Sequence, residues 1–157
     1  MMKIKPGDPA PVFSLQNEKG EQVNLNDLLN KDKLLLLFFP LAFSSVCTDE
    51  LCKIRDNMKI YQSLKTNIAA ISVDSFFTLQ AFKKAQNLNF TLLSDFNKTV
   101  SKDYEVLEDD YFGMQGVSRR AAFIIGRDGI IQYTEILENS DDLPDFRVIQ
   151  KMLTSNL

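Results

Sequence analysis

Residues 34–52 read LLLLFFPLAFSSVCTDELC. Six apolar residues, 34–39, run unbroken between Lys33 and Pro40. They are too few to span a bilayer, and such a run describes a strand covered on both faces of a sheet. Pro40 has no amide hydrogen for the ladder and ends the strand. Ser44 and Ser45 follow, and either suits a helix N-cap. Cys47 then falls in or beside the first helical turn, where unpaired backbone N–H groups and the positive end of the macrodipole favour an anion. The thiolate is the reactive form of cysteine, so Cys47 is a candidate nucleophile. Free cysteine is also among the residues most often buried as core filler, and position alone leaves both readings open.

Downstream, Cys47, Leu51, Ile54, Met58 and Tyr61 recur at spacings of four and three, which predicts a helix over 45–64 with that stripe on the sheet. Cys52 lies about 100° around from Leu51, on a flank with Thr48, Arg55, Asp56 and Lys59. Residues 67–73 form a second buried strand, ended by Asp74-Ser75, which can cap a helix over 76–86. A short strand at 90–94 and a short helix at 98–104 follow. Glu108-Asp109-Asp110 reads as a solvated acidic loop, and Gly113 and Gly116 bracket a flexible connection. Segments 121–125 and 130–134 pair across Gly126-Arg127-Asp128-Gly129, since Asp-Gly is a strong turn signal. A helix over 142–153, with Pro144 in its first turn, closes the chain. At the front, 5–11 is a stiff lead-in. Residues 12–15 and 22–25 make a hairpin across Asn17-Glu18-Lys19-Gly20, and Asn26 or Asp27 caps a short turn. The order predicts an α/β fold of thioredoxin-like type. A central mixed β-sheet is flanked by helices, with an N-terminal hairpin, all in one domain over 1–157. The crossover through the Cys47 helix requires its two strands to be parallel.

Composition narrows the chemistry. The 157 residues are 45% apolar and 25% charged, enough for one core. A net charge of −3 gives no electrostatic case for nucleic acid or anionic lipid. The start lacks the apolar stretch of a signal peptide, and no segment is long enough to span a membrane. With two cysteines and no export signal, reduced thiols and a cytoplasmic location are expected. There is no histidine. That excludes Ser-His-Asp and Cys-His catalysis and removes the commonest metal ligand. Two cysteines alone make a zinc site improbable, and no cofactor or metal is expected. A reactive thiol here must rely on a helix terminus and an arginine.

Pro40, Ser44 and Cys47 form P-x3-S-x2-C, which resembles the P-x3-[TS]-x2-C motif of the peroxiredoxins. Arg120-Ala121-Ala122-Phe123-Ile124-Ile125 resembles that family's R-x-[TA]-F-[VIL]-[IV] strand. FTLLSD at 90–95 and ISVDS at 71–75 are similar to further family segments. The resemblance covers roughly 7–132, with two motifs about 70 residues apart in family order. It implies that Cys47 attacks a hydroperoxide, that Ser44 orients the peroxide, that Pro40 shields the thiolate and that Arg120 contacts the sulfur. Glu50 matches a common family glutamate. Arg119 has no such support and is left as surface charge. The second cysteine mixes two signals. C-x4-C is similar to the peroxiredoxin Q (bacterioferritin comigratory protein) types, in which a cysteine placed like Cys52 resolves the sulfenic acid and a thioredoxin-like donor recycles the enzyme. FFPLAFSSVCTDEL is instead similar to one-cysteine AhpE-like members, in which Cys52 would be idle and another thiol reductant would act.

Two other classes compete. A thiol-disulfide oxidoreductase of the thioredoxin fold wants C-x-x-C. A binding protein of the same fold would keep the motif without catalysis. The sequence leaves monomer and homodimer open, and Phe43, Phe76, Phe77 and Tyr111 suit either a dimer contact or a substrate mouth.

Overall fold

The computed structural model describes residues 4–139 and 141–155. A hairpin of β1 (Ser14–Asn17) and β2 (Gln22–Asn24) comes first, turned through Gly20 at a φ of 79°, a conformation glycine adopts without penalty. The expected strand at 12–15 begins two residues later, and Val12 stands 79% exposed. Helix α1 (Leu25–Leu29) is capped by Asn24, not by Asn26 or Asp27; Asp27 completes a reciprocal capping box, which satisfies two otherwise unpaired amides. The apolar run becomes β3 (Lys33–Phe38).

The helical stripe after it divides into α2 (Ser45–Asp56) and α3 (Met58–Ser63), where one continuous helix was expected. Asn57 is the cause. Its side-chain amide donates to the Lys53 carbonyl at 2.8 Å, and its backbone leaves the helical region at φ −108° and ψ 17°. An asparagine competing for helical carbonyls in this way breaks the ladder. Next come β4 (Thr66–Ser72), α4 (Phe76–Gln86), β5 (Thr91–Ser94) and α5 (Thr99–Asp103). A two-stranded ladder that the sequence does not announce, β6 (Leu107–Glu108) with β7 (Val117–Ser118), closes the loop between them. The chain ends with β8 (Ala121–Ile125), β9 (Ile131–Ile136) and α6 (Phe146–Ser155). Pro144 lies before α6 instead of in its first turn. The Asp145 side chain accepts from the Val148 amide at 3.2 Å, so the cap sits after the proline.

Seven strands form one mixed sheet in the order β2-β1-β5-β4-β3-β8-β9. β3 pairs β4 in parallel and β8 antiparallel, and the parallel crossover through α2 is as expected. Alternate residues of β3 serve two cores. Leu34, Leu36 and Phe38 join Phe123, Ile71, Tyr104 and the α1 leucines. Leu35 and Leu37 join Cys47, Leu51, Ile54, Phe82 and the α6 residues Ile149 and Leu153. All of 34–39 is fully buried, so the unbroken apolar pattern reflects cover on both faces. Lys33 is buried as well, and its Nζ donates to the Leu153 carbonyl at 2.8 Å. It thereby caps the last turn of α6. Among the described residues no helix is long and apolar enough to cross a membrane.

Candidate active site

Sheet direction assembles the site. β3 runs toward Pro40 and α2, while β8 runs the opposite way. The register Phe38↔Ala121 therefore places Arg120, just before β8, beside the end of β3. Cys47 is the third residue of α2, and Glu50 follows one turn later on the same helix face. All three are enclosed: Cys47 and Glu50 are 0% exposed and Arg120 is 1%. Both terminal nitrogens of Arg120, Nη1 and Nη2, donate to the Cys47 Sγ at 3.3 Å. Nη1 also donates to Glu50 Oε1 at 2.7 Å. One guanidinium thus holds a sulfur and a carboxylate together, a task its rigid planar fork suits.

Burial pushes the Glu50 carboxyl up to about 7, against the pull of Arg120, which favours the charged form. Its second oxygen, Oε2, is buried without a hydrogen-bond partner, which fits a carboxyl poised between its two states. The folded protein therefore binds a proton here that the unfolded chain releases near its ordinary value of 4.5. The stability this group contributes is fully present below that value and is lost as pH rises through about 7. Glu50→Gln should gain stability relative to the parent between these limits and level off above them, by a few kcal/mol at roughly 1.4 kcal/mol per pKa unit. Urea unfolding at a series of pH values checks this, and a pH-independent difference would contradict it.

Ser44 occupies the N-cap position of α2, but its side chain makes no cap bond. Its hydroxyl donates instead to the Leu41 carbonyl at 2.8 Å. The first-turn amides of α2 are thus left without a side-chain acceptor, a setting that favours an anion at the helix start. The 40–44 bend is pinned by Asp74, whose Oδ2 accepts from the Ala42 amide at 2.8 Å and the Ser72 hydroxyl at 2.7 Å. Sequence reasoning had Asp74 only as a strand end or cap. Ser75 alone caps α4, accepting from the Thr78 amide at 3.2 Å. Phe43 adopts φ 70° in the bend and packs on Phe82, with ring centroids 5.0 Å apart.

A cavity of about 320 Å³ opens over Arg120 and Pro40. Tyr111 and Phe112 line it, as do Glu108, Asp110 and Arg119. Of the four aromatic candidates for a mouth, Tyr111 alone is there. Phe76 and Phe77 stack on each other at 4.1 Å, and Phe76 lies against Gly20 of the hairpin. Burial, followed by the nearby Cys47 charge, pushes the Tyr111 phenol up, which keeps it a proton donor. Two expectations change here. The 108–110 acidic segment is not merely solvated, since Glu108 and Asp110 line the cavity. Arg119 is not bare surface charge, since its Nε lies 3.3 Å from Glu108 Oε2. The β6–β7 ladder brings both to the mouth, and no local sequence signal marks a two-residue ladder.

Cys47 and Cys52 are free thiols within the one helix α2. Cys52 is half-buried on the flank, its Sγ 3.6 Å from Gln86 Oε1 on α4. Residues five apart in a helix have Cα atoms about 8.6 Å apart, beyond the roughly 7 Å limit for a disulfide.

Residues 6–134 match the model of the AhpC/TSA family. A relative described as putative peroxiredoxin bcp, from Buchnera aphidicola subsp. Schizaphis graminum, is 39% identical over 83% of this chain and 84% of its own length. Peroxiredoxin Bcp of Escherichia coli (strain K12) is 38% identical over 85% of this chain and 86% of its own length. The crystal structure of peroxidoxin BcpB from Mycobacterium tuberculosis superposes with a TM-score of 0.88 at 26% identity, covering 97% of each chain. A family match over most of the chain, relatives of this similarity and a common fold place the chain in the AhpC/TSA family, as a peroxiredoxin similar to the Bcp proteins.

Proposed function

We propose that the chain is a thiol-dependent peroxidase that reduces hydrogen peroxide and organic hydroperoxides through Cys47. The observation that carries this reading is the double donation of Arg120 to the Cys47 sulfur inside a closed site. The guanidinium favours the thiolate and stabilises charge that develops on the peroxide oxygens. The thiolate attacks the terminal oxygen of R–O–O–H. An S–O bond forms, the O–O bond breaks, and RO⁻ takes up a proton and leaves as the alcohol or water. Cys47 becomes a sulfenic acid. Ser44, at the start of α2, orients the peroxide, and Pro40, which lines the cavity, shields the sulfur. Glu50 fixes Arg120. No cofactor takes part.

Cys52 then attacks the Cys47 sulfenic sulfur, forming the S–S bond and releasing water. A thioredoxin-like protein or other thiol reductant restores both thiols by exchange. Because the α2 geometry separates the pair, the first turns of α2 must unwind. The uncapped start at Ser44 and the half-buried position of Cys52 make this the part of the helix that costs least to open. Adding one equivalent of peroxide should give a Cys47–Cys52 link by non-reducing mass spectrometry, with a modest loss of helical circular dichroism. A lasting sulfenic acid with Cys52 still open to alkylation would show a one-cysteine enzyme instead. A cytoplasmic location, where thiols are kept reduced, suits this dithiol chemistry. The C-x4-C spacing counts against a thiol-disulfide oxidoreductase.

A further inference from the structure

The cavity over Arg120 has a charge pattern that the peroxide chemistry does not itself require. Tyr111, Phe112, Val117 and Leu137 supply apolar wall, and Phe112 is 82% exposed at its edge. Three carboxylates also line it: Glu108, Asp110 and Glu138. Two cations oppose them. Arg119 pairs with Glu108 at 3.3 Å. Arg120 serves Glu50 and the Cys47 sulfur. Among the described residues no cation pairs with Asp110 or Glu138. Asp110 Oδ1 accepts from the Gly113 amide at 2.9 Å, which fixes the carboxylate in the loop. The approach to a cationic floor is therefore lined by uncompensated negative charge above apolar walls.

Resting on the reading of Cys47 as nucleophile, we propose that this cavity selects uncharged hydroperoxides with a compact alkyl or aryl group. It discriminates against those bearing a carboxylate close to the O–O bond. The apolar walls contact the organic group. A carboxylate carried on that group is held between Asp110 and Glu138, where like charges repel and the low-dielectric walls weaken screening. Discrimination of this kind comes from the repulsive element and not from tighter binding of the favoured substrate.

The probes are cumene hydroperoxide and its para-carboxylate, which present the same reacting group. Cys47 oxidation is followed by rapid quench and mass spectrometry, and each rate is divided by that of a small free thiol with the same peroxide. At low salt the neutral substrate should react about five- to tenfold faster, the size expected for two unscreened charges several ångströms away. The ratio should fall toward one near 1 M salt, where the screening length is about 3 Å. It should fall likewise in the double variant Asp110→Asn, Glu138→Gln, both positions being on the exposed rim. Equal corrected rates in the parent protein, or a ratio that neither salt nor the double variant moves, would overturn the selectivity. Failure of hydrogen peroxide and both probes to oxidise Cys47 would instead overturn the peroxidase reading beneath it.

Discussion

Cys47→Ser should bring peroxide turnover down to the uncatalysed background in a coupled assay with a thiol donor. The substitution exchanges one sulfur for one oxygen in a fully enclosed position, so the fold should survive, as thermal unfolding would show. No other side chain can take over. The chain lacks histidine, and Cys52 faces Gln86 on the helix flank, away from Arg120. A serine hydroxyl in the same place is far harder to ionise than a thiol, so proximity to Arg120 does not rescue it. Near-normal turnover in this variant would remove the basis for the whole mechanism.

Arg120→Ala should slow Cys47 oxidation by at least tenfold, about 1.4 kcal/mol of barrier. The guanidinium is the cation in contact with the sulfur, and it acts where water cannot substitute. Removing it also takes away the donor to Glu50 Oε1 and the charge that lowers the Glu50 pKa, so that carboxyl is left buried, neutral and short of a partner, at a cost of roughly 1–3 kcal/mol. The double variant Arg120→Met, Glu50→Gln avoids that cost and should show the same kinetic defect in a well-folded protein. Arg119→Ala, which removes a cation bound to Glu108 at the mouth, should do much less. Equal defects at 119 and 120 would mean that general positive charge, and not contact with the sulfur, sets the rate.

Much of this arrangement could be read in the chain before any coordinates, and the reasons are physical. A six-residue apolar run bounded by Lys33 and Pro40 has one economical place in a domain, the doubly covered centre of a sheet. The parallel partner was legible from the crossover through the Cys47 helix, whereas the one core expected from size and composition is two, served by alternate residues of β3. The pairing of Arg120 with Cys47 was legible through motif resemblance, but its cause is topological. An antiparallel β8 beside β3 brings residues 73 apart in sequence to 3.3 Å. What escaped notice depends on contacts without local periodicity. The break at Asn57 turns on one side-chain amide, and α6 starts at Phe146 because its cap is Asp145, after Pro144. The placement of Glu108, Asp110 and Arg119 at the mouth rests on a ladder of two residues per strand, shorter than any pattern of alternation can reveal. Asp74 pins the 40–44 bend through a backbone amide 32 residues away. Lys33 bounds the apolar run in the sequence, and nothing local marks it as the buried first residue of β3 that caps α6.

In the proposed mechanism the Cys47 sulfur, and not the more exposed Cys52, takes the peroxide oxygen. The most direct measurement traps the sulfenic acid with dimedone during reaction with less than one equivalent of hydrogen peroxide, in the Cys52→Ser variant and in the parent. Peptide mass mapping then locates the adduct. The adduct should be confined to Cys47, abundant in Cys52→Ser and scarce in the parent, where the disulfide forms first. An adduct on Cys52, or none on Cys47 while peroxide is consumed, would contradict it.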